Sequence, residues 1–224
     1  KDIKQFQKRK KINKKMISDF SSSTLLFNSF QLTRKDLTKE LWNKYSSELM
    51  TMVVSQYYNK DPSSRGLTYE QLYQYFKEEY DQIFTNDDSF VHAFLFFDQK
   101  GELVGTFMFR DAYIYNLTHK KNLEKMMSTD TFYDYYVQFC NIADGFWNKY
   151  RVGAGECLYG TNLAFSAKYL ERLKEKNVLR MILAVFIDLN VWWREKRLNE
   201  GKFRYSMWTQ FRKSLITSTQ ALFI

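Results

Sequence analysis

Residues 91–109 have the sequence VHAFLFFDQKGELVGTFMF, in which two apolar runs flank a short polar segment. The runs are residues 91–97 and 103–109, and both are rich in aromatic and aliphatic side chains. The polar segment between them contains one glycine, Gly101. Two such runs joined by a short glycine-containing loop are typical of a β-hairpin. This stretch therefore predicts an antiparallel strand pair in the middle of the chain.

A short strand and a helix are predicted near the start of the domain. The apolar residues 25–32 favour a short strand. Thr33 and Asp36 then stand three residues apart, as in a capping box, and apolar residues recur at helical spacing after them. We therefore predict an amphipathic helix over residues 34–58.

The remaining elements follow from capping patterns and periodicity. Thr68 with Gln71 is a second capping-box pattern, which predicts another helix after the break at Pro62. Beyond the hairpin, residues 121–150 are predicted to be a helical insertion in two pieces. A strand, a long helix, a strand and a short helix are then expected at residues 156–165, 171–198, 203–211 and 218–224.

The composition of the 224-residue chain predicts a soluble globular α/β domain. Hydrophobic residues make up 45% of it and aromatic residues 18%, with only eight Gly and one Pro, which excludes a disordered or collagen-like chain. Its two cysteines cannot form a disulfide framework, and a reducing compartment is compatible with this. The longest apolar run, residues 178–187, contains Arg180 and is too short to span a bilayer.

The positive charge is concentrated at the N-terminus. Eight Lys and Arg residues against one Asp give residues 1–18 a net charge of +7, out of +9 for the whole chain. Residues 1–24 are therefore predicted to be a basic extension before a domain of residues 25–224. The extension is interpreted as a solvated leader, a patch for an anionic surface, or part of an organelle-targeting segment. No pattern of interleaved basic and aromatic residues indicates a nucleic-acid-binding domain.

Several local motifs support one interpretation of this element order. Residues 98–105 are DQKGELVG, residues 58–62 are YNKDP, residues 159–169 are YGTNLAFSAKY and residues 218–223 are STQALF. In this order they resemble the GNAT superfamily of N-acetyltransferases, in particular its arylalkylamine N-acetyltransferase-like members. The resemblance covers residues 28–224. It implies an α+β fold, with a mixed, mainly antiparallel sheet flanked by helices, and it predicts that the last two strands of the family are missing.

The resemblance also implies a site for acetyl-CoA or coenzyme A, where the strand of residues 156–165 leads into the long helix. The family places glycines there, so that backbone N–H groups approach the pyrophosphate. In this chain the aligned positions hold Leu173 and Glu175, or Glu175 and Asn177, and the cradle is therefore predicted to be degenerate. The residues implied at this cofactor site are Leu163, Ala164, Phe165, Arg172, Lys174, Lys176 and Asn177.

The catalytic residues that the resemblance implies are only partly present. Asp61 occupies the acid-proline position and is the candidate general base. Phe223 stands where the family has a tyrosine that serves as the acid, and phenylalanine has no proton to donate. The two histidines, His92 and His119, lie at no metal-ligand spacing to a cysteine or an acid, so no metal site is predicted. They are expected at a sheet edge and in a loop.

Two functions follow from these observations. The first is a degenerate, non-catalytic GNAT-like protein that is an accessory or structural subunit of a larger assembly. Its partner proteins would contact an aromatic-rich insertion at residues 116–152, which includes Tyr136 and Trp147, and a sheet edge left bare by the missing strands. The alternative is an active acyl-CoA-dependent N-acyltransferase for a small amine. In both cases an intracellular location is expected, in the cytoplasm or in an organelle such as the mitochondrion.

Overall fold

The computed structural model describes residues 29–58, 67–85, 91–125, 127, 133–151, 153–173, 175–200 and 205–208. Within these ranges the strands form one five-stranded sheet in the order β1-β2-β3-β4-β5. Neighbouring strands from β1 to β4 are antiparallel, whereas β5 is parallel to β4. The fold class is therefore α+β, and the mixed, mainly antiparallel sheet flanked by helices agrees with the prediction.

The start of the domain differs from the sequence prediction. Strand β1 is Thr33–Asp36, the segment predicted to cap a helix, and it pairs with Phe94–Phe97 of the hairpin. The first helix, α1, is Lys39–Tyr57, and its N-cap is Thr38, whose side chain accepts a hydrogen bond from the Leu41 backbone N–H. The predicted N-cap, Thr33, therefore lies five residues before the observed one, Thr38. The reason is that the backbone groups of residues 33–36 are used in pairing with β2. Of the strand predicted at residues 25–32, the described residues 29–32 form a turn and not a strand, and residues 25–28 lie outside the described residues.

Helix α2 begins where the sequence predicts. It spans Tyr69–Asp81, and Thr68 and Gln71 form a complete capping box, with each side chain bonded to the backbone N–H of the other residue. A single 3₁₀ turn, Gln82–Phe84, follows it. Leu72, Phe76 and Tyr80 face inward as predicted. Local sequence alone is sufficient to place this helix.

The central hairpin is confirmed. Strand β2 is Val91–Phe97 and strand β3 is Leu103–Asp111, so β3 extends two residues beyond the predicted run. The turn is closed by Asp98, whose Oδ1 accepts hydrogen bonds from two backbone N–H groups, those of Lys100 and Glu102. Gly101 has a positive φ of 75° in this turn, a conformation that favours glycine. The motif of residues 98–105 is thus explained by hairpin geometry.

Two described helices lie between β3 and β4, where a helical insertion in two pieces was predicted. Helix α3 is Ala112–Leu123 and helix α4 is Tyr133–Tyr150. Helix α3 begins nine residues earlier than predicted, because Asp111 at the end of β3 caps it by accepting from the backbone N–H groups of Tyr113 and Ile114. Among the described residues, no helix is long and apolar enough to cross a membrane.

Strand β4, Cys157–Phe165, contains a β-bulge. Thr106 of β3 pairs with Ala164 and Met108 pairs with Thr161, so β4 has one residue more than β3 in this interval. Asn162, inside the bulge, has a positive φ of 55°. Strand β5, Tyr205–Trp208, pairs only with Cys157–Gly160, the half of β4 before the bulge.

The long helix after β4 is divided into two. Helix α5 is Ala167–Arg172 and helix α6 is Glu175–Glu200, where one continuous helix was predicted. The break falls at Leu173, whose backbone is extended with φ −90° and ψ 134°. The terminal helix predicted at residues 218–224 lies outside the described residues.

The sheet has a hydrophobic layer on each face. Helices α1 and α2 cover one face, through a cluster that includes Leu49, Val53 and Phe76. Helix α6 covers the other face, through Met181, Val185 and Leu189, which pack against Phe94, Phe96, Phe107 and Phe109 of the hairpin. This arrangement is a three-layer structure with the sheet in the middle.

A third cluster joins the insertion to β4. Cys140, Ala143 and Trp147 of α4 are buried against Ala112, Tyr115, Cys157 and Tyr159. The prediction that Trp147 is an exposed interface residue is therefore wrong, because 93% of its surface is covered and its ring meets that of Tyr113 at 6.1 Å. Cys140 is a buried core side chain, as the sequence suggested, and burial raises the pKa of its thiol.

Replacement of Gly105 tests the closeness of β3 to β4. A Cβ atom at Gly105 would lie 2.5 Å from Cδ1 and 2.6 Å from Cε1 of the buried Phe165 ring. We expect Gly105→Ala to lower the free energy of unfolding by about 1–3 kcal/mol, as measured by urea denaturation. Shortening the neighbour with Phe165→Leu in the same chain should reduce this effect.

Gly145→Ala in helix α4 is the matched control. A Cβ atom there meets nothing within 4 Å, and alanine favours a helix by about 0.5–1 kcal/mol relative to glycine, so this variant should be as stable as the parent or more stable. Equal stability of Gly105→Ala and the parent chain would contradict the close approach of the Phe165 ring.

Candidate functional site

The described residues of the predicted cofactor site lie on β4, α5 and α6. Leu163, Ala164 and Phe165 belong to β4, and they pack into the hydrophobic layers of the sheet. Ala164 and Phe165 are buried, and Leu163 is half-buried. Asn177 lies half-buried in the first turn of α6. The side chains of Leu163, Ala164 and Phe165 are therefore accounted for by core packing.

Arg172 is the predicted cofactor residue with the most defined polar contacts. At the end of α5, its guanidinium reaches the hairpin turn, where Nη2 donates to Glu102 Oε2 at 3.1 Å and Nη1 lies 3.6 Å from Asp98 Oδ2. Lys168 Nζ lies 3.9 Å from the same Glu102 oxygen. These contacts attach α5 to the β2–β3 turn, and they pair the cationic groups of Lys168 and Arg172 with carboxylates.

The other predicted site residues have no described side chain. Asp61 and Lys174 lie outside the described residues, and Lys176 is described only as part of the α6 backbone. Phe223 also lies outside them. The structure therefore leaves the roles of these four residues as predictions.

A polar cleft lies at the opposite end of β3 and was not predicted. It has a volume of about 470 Å³ and lies between α2, the 3₁₀ turn, the ends of β2 and β3, and α3. Tyr75 and Tyr115 supply aromatic surface to its wall. The charged and strongly polar residues that line it are Glu78, Glu79, Gln82, Arg110, Asp111, His119 and Asn122.

Glu79 is the centre of a buried hydrogen-bond network in this cleft. It lies on α2 and is only 6% exposed. Its Oε1 accepts hydrogen bonds from the hydroxyls of Tyr75 at 3.0 Å and Tyr115 at 3.3 Å. Its Oε2 accepts from Asn162 Nδ2 at 3.0 Å and lies 3.2 Å from Arg110 Nη2. The network joins α2 to three other elements: β3, α3 and the bulge of β4.

Arg110 supplies the positive charge of the cleft. It is 3% exposed, its guanidinium lies 4.9 Å from the centre of the Tyr115 ring, and Nη1 donates to Gln82 Oε1 over a long 3.4 Å. Burial is the largest single effect and opposes the charged form, but the Glu79 carboxylate together with Tyr115, Tyr75 and Tyr80 outweighs it, and the pKa of Arg110 is raised. Removal of either partner of such a buried pair leaves an uncompensated charge.

His119 is kept neutral in the wall of the cleft. It lies on α3 and not in a loop as predicted, it is 3% exposed, and its ring centre lies 4.0 Å from that of Tyr115. Burial, together with the nearby charge of Arg110, lowers the pKa of His119 to about 3. The imidazole is therefore uncharged at physiological pH.

Comparison with protein-family models, curated proteins and solved structures finds no match to this chain. The described residues also contain no group of three or more His, Cys, Asp or Glu side chains that could hold a metal ion. The function of the cleft therefore has to be argued from its own chemistry.

A signal for this site was present in the sequence. Glu79 follows Leu72 by seven residues and Phe76 by three, which places a carboxylate on the apolar face of an amphipathic helix. Arg110 directly continues an apolar strand run. A charged residue at a position predicted to be buried needs a partner, but the sequence does not show that these two residues meet.

Replacement of Glu79 tests the buried pair. Glu79→Gln removes the charge that compensates Arg110, so we expect the free energy of unfolding to fall by about 3–5 kcal/mol. Glu78→Gln is the matched control on the same helix, since Glu78 is exposed and its loss should change stability by less than about 0.5 kcal/mol. Equal urea midpoints for the two variants would contradict the pairing of Glu79 with Arg110.

The low pKa of His119 predicts a specific acid sensitivity. Below pH 6.5 the unfolded chain binds a proton at this residue and the folded chain does not, so stability is lost as the pH falls from 6.5 toward 3. The loss from this residue approaches about 1.4 kcal/mol per pH unit. We expect His119→Gln to flatten the stability curve between pH 6.5 and 5, as followed by urea denaturation.

His92→Gln is the control for this measurement, because His92 is the other histidine of the chain and lies on β2, bonded to Asp36. This variant should keep the slope that His119→Gln removes. A parent chain whose stability is constant over this pH range would contradict the neutral state of His119.

Proposed function

We propose that the chain is a GNAT-like protein that has lost a working acetyl-CoA site and functions as an accessory or structural subunit of a larger assembly. The described order of elements supports this proposal: a strand, two helices, a hairpin, a helical insertion, a strand, a short helix, a long helix and a strand. Apart from the division of the long helix, and the last predicted helix, which lies outside the described residues, this is the order on which the resemblance to the superfamily was based.

The main support for a lost cofactor site is the structure of the connection that follows β4. The Ser166 N–H is bonded to Val104 O at 2.9 Å, and α5 begins at the next residue, so the connection has no glycine-rich loop. The nearby cation, Arg172, is paired with the carboxylates of Asp98 and Glu102. A pyrophosphate would have to compete with these carboxylates and would gain no open backbone cradle.

The accessory role needs partner proteins, and the insertion supplies the surface that we propose for them. Leu117 and Met127, which are 38% and 68% exposed, are large apolar side chains in this region. Trp147 is excluded as an anchor because it is buried, and the side chain of Tyr136 lies outside the described ones. The basic extension of residues 1–24 would add contact with an anionic surface.

Calorimetric titration with acetyl-CoA tests the proposal. We expect no heat of binding up to about 1 mM ligand from a chain shown by circular dichroism to be folded, and the same result with coenzyme A. Micromolar binding of either ligand would overturn the loss of the cofactor site.

The alternative function, an acyl-CoA-dependent N-acyltransferase for a small amine, is favoured by one observation. The carboxylate of Glu79 lines a cleft and contacts Asn162 in the bulge of β4, the strand from which the resemblance draws its cofactor residues. This alternative requires micromolar acetyl-CoA binding in the titration above, followed by turnover with an amine. Asp61 would remain its candidate base.

A further inference from the structure

Helix α6 has a second apolar side, which faces away from the sheet. Met181, Val185 and Leu189 of this helix are buried in the cluster against the sheet. Residues two positions apart on a helix point in nearly opposite directions, so a row that starts two positions before Met181 and repeats every four residues lies on the outward side. We call this the outer row, and it consists of Leu179, Leu183, Ile187 and Val191.

The outer row takes no part in the core that the structure describes. Leu179 is 39% exposed, and the other three side chains are half-buried. None of the four belongs to a hydrophobic cluster of the described residues. A helix with apolar side chains on opposite sides is typical of one that has apolar surroundings on both. The outer row therefore needs a second apolar environment besides the sheet.

The exposed charge beside the outer row is positive. Within residues 177–191 the sequence contains two charged residues, Arg180 and Asp188. Asp188 is paired with Arg34 of β1, whereas Arg180 is exposed next to Leu179. An apolar row with a cation at its side fits a surface that is apolar and carries negative charge.

The basic extension joins the domain on the side of the sheet that α6 covers. Phe30 and Leu32, at the start of the described chain, pack in the cluster between α6 and the sheet. Residues 1–18, with a net charge of +7, precede this anchored segment. The extension and the outer row are therefore tethered to the same side of the domain.

From these observations we infer that α6 and the basic extension dock the protein on an anionic membrane surface. The outer row lies at the boundary between headgroups and acyl chains, and Arg180 and the lysines of the extension contact the anionic headgroups. A nucleic acid would match the charge of the extension but would offer the outer row no apolar environment. This inference goes beyond the proposed accessory role and does not depend on the resemblance to acetyltransferases.

Cosedimentation of the full chain with lipid vesicles tests the docking. We expect saturable binding to phosphatidylcholine vesicles that contain about 30% phosphatidylglycerol, and at least about tenfold weaker binding to pure phosphatidylcholine. Binding should weaken further as KCl is raised from about 0.1 M to about 0.5 M. Absence of binding to the anionic vesicles at about 0.1 M KCl, from a chain shown by circular dichroism to be folded, would overturn the proposal.

Two variants of equal net charge locate the apolar contact. Leu179→Glu removes an apolar side chain from the outer row and places a negative charge at the membrane, so it should weaken binding about five- to tenfold. Leu117→Glu is the matched control, because Leu117 lies on α3, outside the outer row, and is exposed to the same extent, 38%. The control should bind within about twofold of the parent chain. Equal binding by the two variants would contradict the docking of α6.

Replacement of four lysines by glutamine tests the extension. Each cation near an anionic surface strengthens binding about fivefold, so the loss of Lys10, Lys11, Lys14 and Lys15 together should weaken it at least about 100-fold. Unchanged vesicle binding by this variant would contradict the role of the extension. Tighter binding of the parent chain to an RNA duplex of about 20 base pairs than to the anionic vesicles would assign the extension to a nucleic acid and overturn the proposal.

Discussion

Strand β3 is buried along its whole length, and the rest of the structure is arranged around that constraint. All nine residues of Leu103–Asp111 are buried, so both faces of the strand must be covered and both edges paired. Strands β2 and β4 pair with the edges, while α1 and α2 cover one face and α6 covers the other. A strand buried on both faces has a continuous apolar sequence, which is why this part of the chain decides the fold.

The elements that local sequence predicts correctly are those whose signals are also local. The capping box of α2 and the turn chemistry around Asp98 are complete within a few residues, and both are confirmed. Strand β1 was misassigned because residues 33–36 also carry a local capping-box pattern. The interaction that makes them a strand is pairing with β2, which joins residues about sixty positions apart in the chain. The break at Leu173 was also missed, since periodicity on its own does not separate two consecutive helices.

The polar cleft could not be predicted because its members come from distant parts of the chain. Glu79 on α2, Arg110 on β3 and Asn162 on β4 meet only when the sheet is assembled. Ion pairs buried in this way contribute little net stability, since desolvation of the charges offsets their attraction. Removal of one partner is nonetheless destabilising, because it leaves the other charge buried without compensation. The reverse error occurred at the predicted cofactor residues. Ala164 and Phe165 match a sequence motif, but their side chains pack in the core.

The bulge in β4 determines which face each half of that strand presents. Leu158 and Phe165 are seven positions apart, so strict alternation would place them on opposite faces, yet both pack in the cluster beneath α6. The extra residue in the bulge shifts the alternation of side chains by one, so that Phe165 lies on the same face as Leu158. The bulge also places the Asn162 side-chain amide against Glu79. Loss of one residue here would exchange the inner and outer faces for half the strand. An insertion or deletion at residues 161–163 would therefore disturb the sheet more than a change of residue type there.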